Sequence, residues 1–419
     1  MPCSLQISIF FFPLIFLVSG STSHNPILPK AAIFPVQKDV STLQYVSRQF
    51  MGQDLAPLEL VLDLNGPFVW ADCESNPSFL GSQQPIKSCS LKCSMAKPIK
   101  GCYMPGYNSK SCTVLVENTI SRISDSGEMV EDNIVMEFWD GKNPNSFAQT
   151  EKFMFSCAPN LLLKGLANGA KGMFGLGNSR ISLPSQFSTT FGFFQRKFSL
   201  CLSPSSSDGA IFLGGGPHDI EISSPMVYTP LIPKSQQGSY YMDLSSIKIS
   251  GKRLSLQQKG FIGAKLSTIA PYTTLETNIY ATFVEAYVKA AKEMNLSLVS
   301  SVAPFEVCFS SKGVENKKIG PNVPIIDLVL QSEMVKWRVY GKNSMVFVSD
   351  EIMCLGFLDG GIDPRDTIVI GGYQMEDYLL EFNLGNSMLG ISPLAMGDKK
   401  CSDFAASGLS GGGGGRELF

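Results

Sequence analysis

An apolar run enters an acidic residue, turns, and leaves as a second apolar run: Leu60-Val61-Leu62, Asp63, Leu64-Asn65-Gly66-Pro67, Phe68-Val69-Trp70. Each run has the length of a short buried strand, and the Gly-Pro pair marks a turn. The segment therefore reads as a hairpin with one carboxyl near its bend. Farther on, Lys171-Gly-Met-Phe-Gly-Leu-Gly177 sets an apolar pair between glycines. The second half of the chain repeats the arrangement: Ala264 to Leu275 surrounds Ser267, and Thr367-Ile-Val-Ile-Gly-Gly372 follows. Glycine inside a strand signals a close approach of another backbone. Such a unit once per half predicts two lobes related by a pseudo-two-fold axis. Neither stretch has the Gly-x-Gly-x-x-Gly form between strand and helix, so phosphate cradling is not indicated.

With 419 residues the chain exceeds one compact core and suits two lobes of about 170–200 residues. Its many glycines and prolines, against a low charge density, suggest short strands joined by turns. Phe34 to Asp39 and Leu43 to Val46 read as two short strands that pair, and Asn133 to Phe138 and Lys152 to Phe155 alternate as strands do. Leu183 to Phe187 looks like the start of a short helix with proline in its first turn. From Thr277 to Glu293 the period is helical, with Ile279, Phe283, Tyr287, Ala290 and Ala291 on one face. A net charge of −2 and no basic stripe exclude nucleic acid as a partner class.

Ile7 to Val18 is an apolar run ending in small residues, Ser19 to Ser23, as a secretory signal does. It is too short to span a membrane, and no later stretch is long enough. Residues 1–23 are thus read as a signal peptide, and the mature protein as secreted, soluble and monomeric, without a membrane partner. Ten cysteines remain after Cys3: Cys73, Cys89, Cys93, Cys102, Cys112, Cys157, Cys201, Cys308, Cys354 and Cys401. An even number in a secreted chain predicts five disulfides, whose connectivity spacing alone leaves open. Cys89-x-x-x-Cys93 could suggest zinc, but His24 and His218 are the only histidines, so no metal and no cofactor are expected. Asn295-Leu296-Ser297 is an N-glycosylation sequon, and the glycine-rich residues 405–419 read as a flexible tail.

Several further motifs carry a resemblance. Ser156-Cys-Ala-Pro159, Lys197-Phe-Ser-Leu-Cys201, Ser301-Val-Ala-Pro-Phe305, Val323 to Gln331, Asn343-Ser-Met345, Cys354-Leu-Gly356 and Asp359-Gly-Gly361 are among them. Together they are similar to plant extracellular dermal glycoproteins, relatives of wheat-type xylanase inhibitors and legume basic 7S globulins. That group is a subfamily of pepsin-like aspartic protease homologues, and the likeness runs from about residue 30 to 404. It implies a mostly β, bilobal pepsin-like fold: two pseudo-symmetric β-barrel lobes, 24–225 and 226–404, about a central cleft.

The resemblance also assigns roles. Asp63, with Trp70 seven residues on, matches the first catalytic aspartate; counting back from Asn278-Ile-Tyr280, the second aspartate position holds Ser267. Leu64 stands where the family has a buttressing threonine, and Asn65 where it has a glycine. No tyrosine or tryptophan lies between Cys112 and Phe138, although the family's flap carries a tyrosine; Thr119 is near its expected place. From Ile220 to Ile326 the chain has one aspartate, Asp243, read as preceding an ordinary strand from Leu244 to Ser250. Aspartic proteolysis needs two close carboxyls sharing a proton, one as base on water and one as acid on the carbonyl. A serine hydroxyl does neither, so no protease activity is expected.

Members of the group inhibit microbial glycoside hydrolases, whose clefts hold two carboxyls. A blocker profits from cations on rigid loops, which here points to Lys317, Lys318, Lys399 and Lys400. The expected function is apoplastic or cell-wall inhibition of a microbial xyloglucan-specific endoglucanase or endoxylanase. Two alternatives stand beside it: an atypical active aspartic endopeptidase, and a secreted binding or storage protein without an enzyme target.

Overall fold

The structure, a computed structural model, describes residues 31–404 apart from 53–54, 76–78, 80, 98–110, 140–143, 192–194, 205–207, 216–225, 233–237, 257–259, 261 and 398. Residues 1–23, His24, His218, Cys102 and the 405–419 tail lie outside the described residues, so the expectations placed on them have no structural counterpart here. The fold is mostly β. The strands Ala31–Lys38 and Tyr45–Met51 pair as expected, Gln37 with Val46 and Lys38 with Tyr45. The alternating stretches lie in two long antiparallel strands, Ile123–Trp139 and Pro144–Cys157.

The segment from Asp63 to Trp70 differs from the hairpin that the sequence suggests. The strands Ala56–Asp63 and Trp70–Ala71 are not paired with each other; Gly172–Gly175 lies between them, parallel to the first and antiparallel to the second. Trp70–Ala71 pairs in parallel with the end of Pro144–Cys157 on its other side. A pairing between neighbours is local and can be guessed from a turn, whereas an inserted third strand comes from a hundred residues away. The second lobe has the same weave. Ile262–Leu266 runs parallel to Ile368–Ile370, Thr273–Leu275 runs antiparallel to it, and Thr273–Leu275 pairs in parallel with Phe357–Asp359.

This weave explains the glycines. A Cβ on Gly172 would lie 2.0 Å from the Trp70 carbonyl oxygen, and one on Gly175 2.2 Å from that of Phe68. In the second lobe a Cβ on Gly371 would lie 2.3 Å from the Tyr272 carbonyl carbon. Only glycine lets three strands cross this closely.

The lobes are joined by more than a linker. Three strands of the C-terminal half, Val227–Pro230, Tyr378–Asn383 and Met388–Pro393, extend the first lobe's sheet through Lys197–Cys201. Phe198 stacks on Phe382 at 4.6 Å across this join, with Tyr240 tilted against Phe382 at 4.9 Å. Asp243 lies inside the strand Tyr241–Leu244, opposite Gly263, and a separate strand follows at Ser246–Ile249. Here the sequence reading placed one strand where a break at Ser245 makes two.

The helix Thr277–Glu293 has the bounds that its period predicts, burying Ile279, Tyr280, Phe283, Tyr287, Ala290 and Ala291. Glu276 caps it by accepting from the N–H groups of Asn278 and Ile279. A short helix, Leu183–Phe191, starts at the expected place. Four disulfides are described: Cys73–Cys157, Cys93–Cys112, Cys201–Cys401 and Cys308–Cys354. Cys89 is also disulfide-bonded. Asn295 and Ser297 are exposed, Asn295 in a left-handed turn after the long helix.

Candidate functional site

Asp63 ends its strand at the floor of a cavity of about 530 Å³. The walls come from both lobes and from the turn of the hairpin Thr113–Asn118 and Ile123–Trp139. That turn is held by Asn118, whose side-chain oxygen accepts from the N–H groups of Ile120 and Ser121. Thr119, in the turn, donates to one Asp63 oxygen at 2.9 Å, and the Asn65 N–H donates to the other at 2.9 Å. The flap thus closes on the carboxyl with a hydroxyl, near the residue where the sequence puts it. Burial pushes the Asp63 carboxyl above its ordinary 3.8, against the pull of the Asn65 N–H, the Thr119 hydroxyl and the Lys265 charge.

Ser267 follows Ile262–Leu266 as Asp63 closes Ala56–Asp63. The Asp63 side chain accepts from the N–H two residues on, that of Asn65. Likewise the Ser267 hydroxyl accepts from the N–H two residues on, that of Ile269, and from Ala270, each at 3.2 Å. The next residue in each unit faces the other lobe. Thr268 donates to the Leu62 carbonyl at 2.8 Å and accepts from the Leu64 N–H at 3.0 Å.

Leu64 has no polar group with which to return this grip. Asn65 supplies it instead: its Nδ2 donates to the Leu266 carbonyl at 2.8 Å, and its Oδ1 accepts from the Tyr240 N–H at 3.0 Å. The role of Asn65 was missed in the sequence because the family position calls for glycine. That of Thr268 was within reach, since it stands one residue after Ser267 as Leu64 stands after Asp63.

The second lobe gives the cavity a basic wall of Lys265 and Arg365, with Arg122 on the flap. Lys265 pairs with Asp366 at 3.4 Å, and Asp366 accepts from the Tyr241 hydroxyl at 2.7 Å. Glu117 pairs with Arg122 at 3.6 Å. Lys265, Arg365, Arg122 and Glu117, which line the cavity, were not singled out in the sequence, because the fold alone brings them to one cleft. Among the described residues no cluster of metal-ligating side chains occurs, and no helix is long and apolar enough to cross a membrane.

The four lysines expected to act on a partner lie elsewhere, all exposed. Lys317 pairs with Glu315 at 3.0 Å on the short strand Asn316–Lys317, and Lys318 follows it. Lys399 and Lys400 precede Cys401, and the Lys400 N–H donates to Asp403 at 2.8 Å.

The comparisons with known proteins agree with this architecture. Family models described as xylanase inhibitor N-terminal and xylanase inhibitor C-terminal match residues 45–215 and 239–393. The probable aspartic proteinase GIP2 of Nicotiana benthamiana is 40% identical, over 96% of this chain and 98% of its own. Gamma conglutin 1 of Prunus dulcis is 37% identical, over 93% and 94%. The crystal structure of edgp superposes with a TM-score of 0.82 at 38% identity, covering 90% of this chain and 98% of that one. Basic 7S globulin from soybean gives 0.78 at 30%, covering 90% and 98%. An aspartic proteinase from Irpex lacteus, 11% identical with a TM-score of 0.59, shares the fold. The chain belongs to the xylanase-inhibitor-like family of pepsin-fold proteins, alongside the gamma conglutins and basic 7S globulins.

Proposed function

We propose that this protein is a secreted pepsin-fold homologue without peptidase activity that inhibits a microbial glycoside hydrolase. The first half is carried by Ser267, an alcohol whose local geometry in the second lobe repeats that of Asp63 in the first. Ser267 has the same relation to its strand and to the N–H two residues on as Asp63 has, so we take it as the counterpart of the second carboxyl. A neutral hydroxyl cannot take a proton from water near the ordinary carboxylate range, and a lone carboxyl cannot act as base and acid in one step. Support for the second half comes from the family itself and from the exposed lysine loops.

Under this reading, the loops of Lys317 and Lys318 and of Lys399 and Lys400 offer ammonium groups to the two carboxyls of a glycosidase cleft, where charge-assisted hydrogen bonds form in a desolvated slot. Lysine gives a point charge without the planar fork of arginine, so affinity should depend steeply on salt. Asn295, exposed in a turn, is the proposed glycosylation site, and the two lobes, 24–225 and 226–404, are the proposed domains.

The test is to add purified protein to microbial xyloglucan-specific endoglucanases and endoxylanases. Inhibition of at least one is expected, weakened tenfold or more by Lys318→Glu without loss of thermal stability. Unaltered hydrolysis across the panel would turn the reading toward a binding or storage protein. The competing endopeptidase reading draws on the retained Asp63, buried and raised above its ordinary range, in an open cleft. Acid digestion of a protein substrate, blocked by pepstatin and lost in Asp63→Ala, would establish it and remove the proposal.

A further inference from the structure

Asp377 is 2% exposed and holds a left-handed backbone, φ 53°, that aspartate tolerates better than most residues. One of its carboxylate oxygens accepts from the Cys401 N–H at 3.0 Å, and the other takes the Lys342 ammonium. Each partner leads to one of the two lysine loops, Cys401 by sequence and Lys342, in the short helix Gly341–Ser344, by a backbone bond. Cys401 directly follows Lys399 and Lys400. The Lys342 N–H donates to the Ile319 carbonyl at 2.8 Å, in the loop of Lys317 and Lys318. Gly320 and Gly341 lock that loop down: a Cβ on Gly320 would lie 2.0 Å from the Lys342 nitrogen, and one on Gly341 2.1 Å from the Pro321 carbonyl oxygen. The node itself is fixed from two sides. Glu376, next to Asp377, receives Lys38 at 2.5 Å and the Tyr45 hydroxyl at 2.7 Å from the first lobe. Cys401 is tied by its disulfide to Cys201 on the strand Lys197–Cys201.

We infer that the buried Asp377 is the residue that couples the two lysine loops and holds them in a fixed relative position. The inference rests on the proposed function and deepens it by naming what sets the two lysine loops relative to each other. Asp377 is a positioning residue, since it touches no partner. A groove with two carboxyls a fixed distance apart is matched best by cations whose spacing is already fixed, because the ordering entropy is met on folding.

Hydrogen exchange on the intact protein tests the linkage without any target. Asp377→Gly deletes both bonds and still permits the left-handed backbone. It is expected to speed exchange tenfold or more in both 316–322 and 399–404, with the helix Thr277–Glu293 unchanged. Lys342→Met deletes only the ion pair, and is expected to loosen 316–322 while leaving 399–404 near wild type. Should Asp377→Gly fail to fold, Lys342→Met decides alone. Exchange that rises in one segment only for Asp377→Gly, or an unchanged 316–322 in Lys342→Met, overturns the inference.

Against an inhibited glycosidase, Lys318→Ala and Lys400→Ala should be coupled in the wild type and additive in the Asp377→Gly background. Additivity in both backgrounds counts against a coupling of the two loops. A protein that inhibits nothing refutes the proposed function, and exchange still judges the linkage.

Discussion

At the scale of the residue, the environment of the Asp63 carboxyl follows from burial. Asp63 is surrounded by protein and accepts two hydrogen bonds, yet desolvation outweighs them and raises its pKa above 3.8. The sign of the stability effect follows. Below pH 3.8 folded and unfolded chains both hold the proton. As pH rises past that value the unfolded chain ionises first, and stability falls until the folded carboxyl ionises as well. Asp63→Asn keeps the shape and cannot ionise. Its melting temperature should therefore gain on the wild type as pH rises from about 3.8, with the two proteins closest in acid. A gap that narrows with rising pH would mean that the hydrogen bonds from Asn65 and Thr119 dominate, contrary to the burial argument.

At the scale of the element, the units around Asp63 and Ser267 show what local pattern reveals and what it hides. The long helix was legible to the residue because its apolar face depends on a period contained within seventeen positions. The glycine-flanked strands were legible as a repeat, since close backbone contact leaves its mark in composition. Their insertion between Asp63 and Trp70 was not, because no turn or period records a partner a hundred residues away. The same holds for the Lys342–Asp377 pair, which links two loops that the sequence marks only by their lysines.

Asn65 is an instructive case, a departure from the family pattern that the structure uses. Two bonds from one carboxamide connect the Asp63 turn to Leu266 and Tyr240 across the lobes. Asn65→Ala leaves a carbonyl and an N–H without these partners, and should cost about 2–3 kcal/mol. The measurement is the urea midpoint at unchanged m-value. A cost below about 0.5 kcal/mol would show that the grip of Thr268 suffices alone.

At the scale of the whole molecule, the second lobe lends three strands to the first lobe's sheet, and both lobes wall one cleft. The strands Tyr378–Asn383 and Met388–Pro393 depend on Lys197–Cys201 for their pairing, and Phe198 packs on Phe382 at that join. Neither lobe can unfold without exposing the other's edge strand and a stacked aromatic pair. Denaturation should accordingly be a single transition for both lobes, followed by fluorescence and by far-ultraviolet circular dichroism with coincident midpoints. The disulfide Cys201–Cys401 crosses this same join and closes a loop of 200 residues. On the chain-entropy argument a closure of that length removes about 5 kcal/mol of freedom from the unfolded state. Replacing both cysteines with serine should then lower stability by several kcal/mol. It should also separate the midpoints of the two probes, because the C-terminal strands lose the covalent tie that keeps them on the first lobe's sheet. If the doubly substituted protein unfolds in one transition at the wild-type midpoint, the strand pairing alone couples the lobes and the bridge serves only the loop that ends at Cys401.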